Sequence, residues 1–137
     1  MGVIPFAQKG EKTALLFVTS KQRGRWIFPK GNLLEDEEHT SGCKRTAIEE
    51  AGIKGEIFKN FSNTVLITKK NRIKTYKTPV TYYPMLVETQ LEEWPEKHKR
   101  DRHWALLTDI HKVLDQTDYL KVAYSFQSLL KWIKHSE

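Results

Sequence analysis

The chain has 137 residues, and 23 lysines and arginines against 17 aspartates and glutamates give a formal net charge of +6. This length fits a single domain over residues 1–137. One cysteine excludes an internal disulfide, and the chain lacks both a membrane-spanning run and a secretion signal, so we expect a cytoplasmic protein with no membrane partner.

In chain order, the apolar patterns predict strands followed by helices around one central segment. The predicted strands cover residues 13–18, 26–28, 56–61, 64–68, 74–88 with an interruption, and 103–107. Residues 108–114 and 118–134 have helical character. Pro79 and Pro84 each indicate an edge or a bulge. These patterns alone leave several α+β topologies open.

The central segment, residues 31–53, opens as a loop. Gly31 follows a proline and a lysine, and we expect it to adopt positive φ and let the backbone approach a ligand closely. A helix should begin near Thr40 or Ser41, either of which could cap it. It should end at Gly52, which suits the left-handed position after a helix.

The predicted helix has a small-residue face and a polar face. The small residues lie four apart and should pack closely on a sheet: Cys43, Ala47 and Ala51. On the polar side, Arg45 can reach Glu49 one turn later.

Glu49 and Glu50 lie side by side in the last helical turn, where the helix dipole is also negative. A magnesium ion would relieve this repulsion, because magnesium is commonly held by one or two carboxylates together with substrate phosphates. For a bare Glu-Glu pair, the alternative of a solvated helix end is the simpler interpretation. The surrounding spacing favours a metal site.

Segment 31–53 resembles the Nudix box: a glycine, a glutamate, and then Arg-Glu-apolar-any-Glu-Glu-any-Gly-apolar at fixed gaps. Eight positions match in register: Gly31, Glu37, Arg45, Ala47, Glu49, Glu50, Gly52 and Ile53. Thr46 is the one departure, and it replaces a glutamate that in this family commonly binds metal or activates the attacking water.

The resemblance implies an α/β (α+β) fold, an α/β/α sandwich with a mixed sheet between helices. It also implies Mg²⁺ as cofactor, with Mn²⁺ as a substitute. Glu49, Glu50 and the Lys30 carbonyl would bind the metal, while Arg45 would pair with Glu37 to brace the loop.

A second base could lie outside the box, in the polar loop that holds Glu92, Glu93 and Glu96. Many members of the family place a distal glutamate in this region, and we select Glu93. The alternative is that each of these side chains is a solvated loop charge.

The flanks, residues 25–31 and 100–104, look like the branch that includes diphosphoinositol polyphosphate phosphohydrolases and diadenosine polyphosphate hydrolases. In that branch, basic side chains after the box grip additional phosphates. The resemblance therefore implies a substrate-binding set: Lys30, Gly31, Lys69, Lys70, Arg72, Arg100 and Arg102. The alternative is that many of these cations only maintain solubility and protect strand edges.

The function expected from this resemblance is magnesium-dependent hydrolysis of a diphosphate bond in a dinucleoside polyphosphate or a diphosphoinositol polyphosphate. Because of Thr46, we also keep a binding protein for nucleotides or RNA ends on the same scaffold. Tyr82 and Tyr83 could stack a base, although on a strand one ring usually packs inward. The expected partner is a small polyanion rather than a nucleic acid, and the oligomeric state is left open.

Overall fold

A computed structural model describes residues 1–21 and 24–135, the last two without their side chains. The strands are β1 Gly2–Lys9, β2 Lys12–Thr19, β3 Trp26–Ile27, β4 Ile53–Ile57, β5 Asn63–Lys70, β6 Thr75–Gln90 and β7 Arg102–Leu106. The helices are α1 His39–Thr46, α2 Ile110–Val113 and α3 Thr117–His135. A π-helical turn, Ala47–Ala51, continues α1 without a break, and residues 39–51 are called the box helix below.

The strands form one mixed sheet in the order β3-β2-β1-β6-β4. In addition, β5 pairs with β6, and β7 pairs with β2. The pair β1 and β6 is parallel, whereas the other pairings are antiparallel. The predicted mixed sheet is therefore confirmed.

Alternating side chains of the sheet form two cores. In β2, Leu15 and Phe17 belong to the core that includes α3, whereas Leu16 and Val18 belong to the core that includes the box helix. All four are fully buried, as expected for a strand covered on both faces. The predicted α/β/α sandwich is confirmed.

The first residues of β1 separate from β2, and the segment after β3 fills the gap. The Val3 N–H donates to the Pro29 carbonyl, and Gly2 lies opposite Lys30 in an isolated antiparallel bridge. This insertion brings Lys30 and Gly31 into the sheet beside the box helix.

The sequence did not predict β1, although residues 2–6 are buried. Pro5 interrupts its apolar run, and the parallel pairing with β6 could not be read from local pattern. The strand predicted over 56–61 was partly wrong, because β4 already ends at Ile57. Residues 59–61 form a 3₁₀ turn, and the Phe58 N–H donates to the Pro84 carbonyl.

The two prolines of β6 have different explanations. Pro79 lies where β6 pairs with β5 alone among the described strands, so the predicted edge position is confirmed. Pro84 lies at neither an edge nor a bulge, because β6 changes its neighbour there from β5 to β4. The register instead shifts where Lys54 and Gly55 pair with Thr89 and Val87, which leaves Glu88 of β6 as the extra residue.

Candidate functional site

The loop before the box helix is held by one arginine. Arg45 donates from Nε to Glu37 Oε2 at 3.0 Å and from Nη2 to Glu37 Oε1 at 2.9 Å. The same Nη2 donates to the Asn32 carbonyl at 2.8 Å, and the Leu34 N–H donates to Glu37. The hydrogen bond from Arg45 lowers the pKa of Glu37 to about 2. The predicted pairing of Arg45 with Glu37 is confirmed.

The box helix begins one or two residues before the predicted start near Thr40 or Ser41. His39 is its first residue, Glu38 takes the N-cap position, and no described side chain caps it. The predicted caps Thr40 and Ser41 were wrong, because the loop held by Arg45 turns the chain into the helix before either residue.

The small-residue face of the helix behaves as expected. Cys43, Ala47 and Ala51 are fully buried in the core beneath the sheet. Burial raises the pKa of the Cys43 thiol to about 11, which fits the inert role expected of a buried cysteine.

Gly31 is required by space rather than by its own φ. The left-handed glycines among the described residues are Gly10 and Gly52, so the expected positive φ at Gly31 was wrong. A Cβ at position 31 would lie 2.7 Å from Thr46 Oγ1, and Thr46 is 1% exposed. Thr46 therefore packs beneath the loop and does not face solvent.

Glu49 and Glu50 occupy different environments in the π-helical turn. The Glu49 side chain is 42% exposed, and its Oε2 lies 3.3 Å from Arg45 Nη1. The Glu50 side chain is only 10% exposed. Single π-helical turns inside α-helices occur frequently at functional sites, and this one directs two adjacent carboxylates to different partners.

Two groups contact the Glu50 carboxylate directly. The Lys30 N–H donates to Oε1 at 3.1 Å, and Arg100 Nη2 lies 3.6 Å from Oε2. Arg100 also binds Glu96 through Nε at 2.7 Å. Burial raises the pKa of Glu50 to about 7, although Arg100 and the Lys30 N–H both favour the ionised form.

One segment, residues 91–102, binds the carbonyls of residues 49–52 at the end of the box helix, and we call it the helix-end bracket. The carbonyls of Glu49 and Glu50 accept from the Glu96 N–H and from Trp94 Nε1. The carbonyls of Ala51 and Gly52 accept from Arg102 Nη1 and from the Leu91 N–H. The last carbonyls of a helix have no partner within the helix, so this bracket fixes the turn that carries both carboxylates.

Gly52 ends the helix as predicted, with φ of 64°. A Cβ there would lie 2.8 Å from Trp94 Cδ2 and 2.9 Å from Arg102 Nη1. The Arg102 guanidinium also lies 4.0 Å from the centre of the Trp94 ring. Glycine is therefore needed both for its backbone conformation and for the close approach of the bracket.

The structure gives Arg100 and Arg102 contacts with the protein itself. Arg100 is 6% exposed and donates to the Thr19 carbonyl as well as to Glu96. Arg102 donates to the carbonyls of the helix end and of Leu91. These contacts use guanidinium donors that were expected to bind substrate.

Glu93 and Glu96 differ in the same way. Glu93, the preferred second base, is 79% exposed and pairs with Lys97. The hydrogen bond from Lys97 lowers the pKa of Glu93. Glu96 is instead joined to Glu50 through Arg100. The structure thus favours Glu96 over Glu93 as the glutamate of this loop nearest the box carboxylates.

A basic cavity of about 750 Å³ opens beside Lys30. Its cations are Arg25, Lys30, Lys69 and Lys70. Its other walls include Ile27, Ile67, Gln116 and Tyr119. Burial, followed by the proximity of Lys69, lowers the pKa of Lys30 to about 8. The cavity therefore concentrates positive charge that an anionic ligand would relieve.

A second cavity of about 350 Å³ shares Lys30 and Lys69 with the first. It is also lined by Gly31 and Tyr76. The two shared lysines thus separate two adjoining cavities, and the predicted residues Lys30, Gly31, Lys69 and Lys70 come together.

Other residues fall outside this cluster. Arg72 lies in the exposed turn between β5 and β6 and does not line either cavity. Tyr82 is fully buried and Tyr83 is 9% exposed, so neither ring offers a stacking face. Arg25 and Tyr119 line the basic cavity but were not among the predicted site residues. The sequence signal that could have indicated Arg25 is its position shortly before Lys30.

The candidate ligands have the chemical type that magnesium prefers, but they are few in number. Glu49, Glu50 and the Lys30 carbonyl offer only oxygen atoms, which magnesium prefers. Among the described residues, no cluster of three or more His, Cys, Asp or Glu side chains could hold a metal ion. Substrate phosphates would therefore have to complete the coordination.

Comparisons with known proteins agree on the family. Residues 1–125 match the NUDIX domain model. Nudix hydrolase 17, mitochondrial, from Arabidopsis thaliana is 30% identical over 116 residues, which cover 80% of this chain and 62% of that protein. Diphosphoinositol polyphosphate phosphohydrolase 3-beta from Homo sapiens is 31% identical over 111 residues, covering 80% of this chain and 64% of that protein.

The fold has a close counterpart among solved structures. The C. elegans Ap4A hydrolase binary complex superposes with a TM-score of 0.68 at 20% identity, covering 95% of each chain. The chain spans less than two thirds of the length of the curated relatives named above. Because the family model covers most of the chain and the box geometry agrees with it, this chain belongs to the NUDIX domain family.

Proposed function

We propose that this chain is a magnesium-dependent pyrophosphohydrolase that cleaves a diphosphate bond in a highly phosphorylated small molecule. The observation that carries the proposal is the position of Lys30. Its backbone N–H binds Glu50, while its side chain lines the basic cavity. One residue thus joins the Glu50 carboxylate to a polycationic cavity, the combination that a metal-bound diphosphate requires.

Glu49, Glu50 and the Lys30 carbonyl would hold the metal. Lys30 lies in an extended bridge, so its N–H and carbonyl point to the same side of the chain, which is the side of Glu50. A bound magnesium ion would neutralise diphosphate oxygens and lower the pKa of a bound water. Arg45 pairs with Glu49 Oε2. A metal ion would therefore bind the other carboxylate oxygen of Glu49, or it would displace Arg45 from Glu49 while the bonds from Arg45 to Glu37 remain.

Positioning and electrostatic stabilisation would supply most of the rate enhancement, as in other phosphoryl transfers. Lys30, Lys69, Lys70 and Arg25 would bind the outer phosphates of the substrate. Thr46 is buried beneath Gly31 and cannot serve as a base. Glu96 takes the place of Glu93 in this proposal, and Arg100 and Arg102 become positioning residues.

The proposed substrates are a dinucleoside polyphosphate or a diphosphoinositol polyphosphate. The names of a human relative and of the C. elegans structure support these classes. The several cations of the cavity support a substrate with many phosphates. A cytoplasmic location stays a prediction, since the plant relative above is named as mitochondrial.

The test is phosphate or nucleotide release from both substrate classes and from nucleoside triphosphates, with magnesium and then with chelator. We expect turnover that requires the metal and that falls about 10²-fold or more in Glu50→Gln, because the metal contributes several kcal/mol to catalysis. Glu88→Gln, an exposed carboxylate on β6, is the matched control and should keep full activity. Turnover that persists with chelator, or an equal loss in both variants, would contradict the proposal.

The buried Thr46 favours a second candidate, a binding protein on the same scaffold. Such a protein would bind one of these polyanions tightly in the presence of metal without turning it over. Turnover by the wild type separates the two candidates, and Thr46→Glu should raise the rate if the threonine impairs an active enzyme. Tight metal-dependent binding with no turnover in either form would establish the second candidate.

A further inference from the structure

The formal net charge of the chain resides in one stretch, residues 57–87. This stretch contains six of the 23 lysines and arginines and none of the 17 aspartates and glutamates. The remaining 17 cations therefore balance the 17 acidic residues elsewhere in the chain. Such a local field attracts a polyanion or a negatively charged surface.

Most of this charge lies on the hairpin formed by β5 and β6, residues 63–81. Its five cations are Lys69, Lys70, Arg72, Lys74 and Lys77. Lys69 and Lys70 line the basic cavity. The other three line neither that cavity nor the smaller one beside it, so a ligand within the cavities does not account for them.

The hairpin also exposes apolar side chains. Ile73, in the turn, is 92% exposed, the highest value among the large hydrophobic residues described. Leu66 is 54% exposed and Tyr76 is 40% exposed on the adjoining strands. The turn is ordered by Asn71, whose Oδ1 accepts from the N–H groups of Ile73 and Lys74 at 2.8 Å each. An ordered turn therefore presents an aliphatic side chain among cations.

We propose that this hairpin docks on an anionic lipid bilayer, with Ile73 entering the interface and the surrounding cations binding lipid phosphates. Clusters of lysine and arginine bind anionic membrane surfaces, and apolar side chains add binding when they reach the acyl boundary. A single aliphatic residue makes the attachment weak and reversible.

Nucleic acid explains the same charge less well. Binding of single strands relies on aromatic faces for base stacking, and the hairpin offers one partly exposed aromatic ring, Tyr76. Lys74 Nζ already lies 5.6 Å from the centre of that ring. An exposed isoleucine at the tip gains nothing from phosphates, whereas a bilayer interface accommodates it.

The sequence-based expectation of no membrane partner rested on the lack of a spanning segment. Within the part of the chain that the structure describes, no helix has the length and apolar character to cross a bilayer. A hairpin tip that binds at the surface needs neither property. The inference is also independent of the proposed hydrolysis, since docking requires no turnover.

The test measures co-sedimentation of the full chain with phosphatidylcholine vesicles, with and without phosphatidylserine. We expect binding that requires phosphatidylserine and weakens as salt is raised. Lys74→Gln with Lys77→Gln should weaken it roughly 10- to 30-fold. The matched control, Lys9→Gln with Lys12→Gln, removes two exposed cations at the β1–β2 turn and should have a much smaller effect.

A second pair of variants tests the apolar contact. Ile73→Ser should weaken vesicle binding about 5-fold or more, whereas Ile73→Leu should retain it. Equal binding by both variants, or no preference for phosphatidylserine, would overturn the proposal. It would also be overturned if single-stranded RNA bound more tightly than the anionic vesicles and displaced the chain from them.

Discussion

Charged side chains are buried and paired at the acidic end of the box helix, whereas most cations of the basic β5–β6 hairpin are exposed. At the helix end, Arg100 is 6% exposed and binds Glu96, Glu50 and the Thr19 carbonyl. On the hairpin, Arg72 lies in an exposed turn within a stretch that has no acidic residue.

Positive charge and a position after the box therefore do not by themselves place an arginine in the basic cavity. Arg100 and Arg102 were grouped with Arg72 in sequence because all three follow the box and carry the same charge. In the structure, the first two fix the turn that carries Glu49 and Glu50, and the hairpin cations remain available to outside partners.

We expect the largest change in unfolding free energy from replacing Arg100. Arg100→Met leaves the buried Glu50 carboxylate without its cation, and breaking a buried pair costs about 3–5 kcal/mol of unfolding free energy. Arg72→Met, at an exposed turn, should change it by less than about 0.5 kcal/mol. Urea denaturation of both variants measures the two effects. Similar losses would mean that the bracket contacts contribute little.

The close approach of the bracket can be tested at Gly52. Gly52→Ala forces a side chain into left-handed backbone and against Trp94 and Arg102, so we expect a loss of about 2–4 kcal/mol. Gly10→Ala is the matched control, because Gly10 has φ of 63° but no atom within 4 Å of a Cβ. It should lose only about 1 kcal/mol. Equal losses in thermal or urea unfolding would show that backbone conformation alone explains Gly52.

The contacts inside the box were predictable because they are local. Arg45 and Glu49 lie four residues apart, and the fixed spacing to Glu37 resembles a known motif. The small-residue face and the stop at Gly52 also follow from spacing and from glycine chemistry. Gly31 could not be explained in this way. A side chain at this position would contact Thr46, whereas the backbone there does not have positive φ.

The bracket could not be predicted, because its partners are far apart in sequence. Trp94 binds the carbonyl of Glu50 across 44 residues, and Arg102 binds that of Ala51 across 51. Nothing in the local pattern distinguishes these side chains from exposed loop residues. Glu93 and Glu96 could not be distinguished in sequence for the same reason, since it is Arg100 that connects Glu96 to Glu50 in the fold.

The pH dependence of stability tests the loop before the helix. The folded pKa of Glu37 is about 2, well below its ordinary value of 4.5, because Arg45 binds the carboxylate. A depressed pKa contributes stability that is present above about 4.5 and is lost as the pH falls toward about 2. The urea midpoints of the wild type and Glu37→Gln should therefore differ near neutral pH and converge in acid.

Glu35→Gln removes an exposed carboxylate of the same loop and serves as the control for this pH series. Its midpoint should stay closer to that of the wild type at neutral pH. A gap between wild type and Glu37→Gln that widens in acid would contradict the role of the Arg45 pair.

The smallest expected effect concerns two neighbouring tyrosines of β6, the strand that forms one side of the hairpin. The buried Tyr82 hydroxyl has no hydrogen-bond partner among the described residues, whereas the Tyr83 hydroxyl lies 2.7 Å from His39 Nδ1. Tyr83→Phe should cost about 1 kcal/mol, because it removes a hydrogen bond. Tyr82→Phe should be neutral or stabilising by up to about 1 kcal/mol, because it removes a buried hydroxyl that makes no hydrogen bond. Urea denaturation of both variants measures the difference, and a larger loss for Tyr82→Phe would reveal a partner for its hydroxyl.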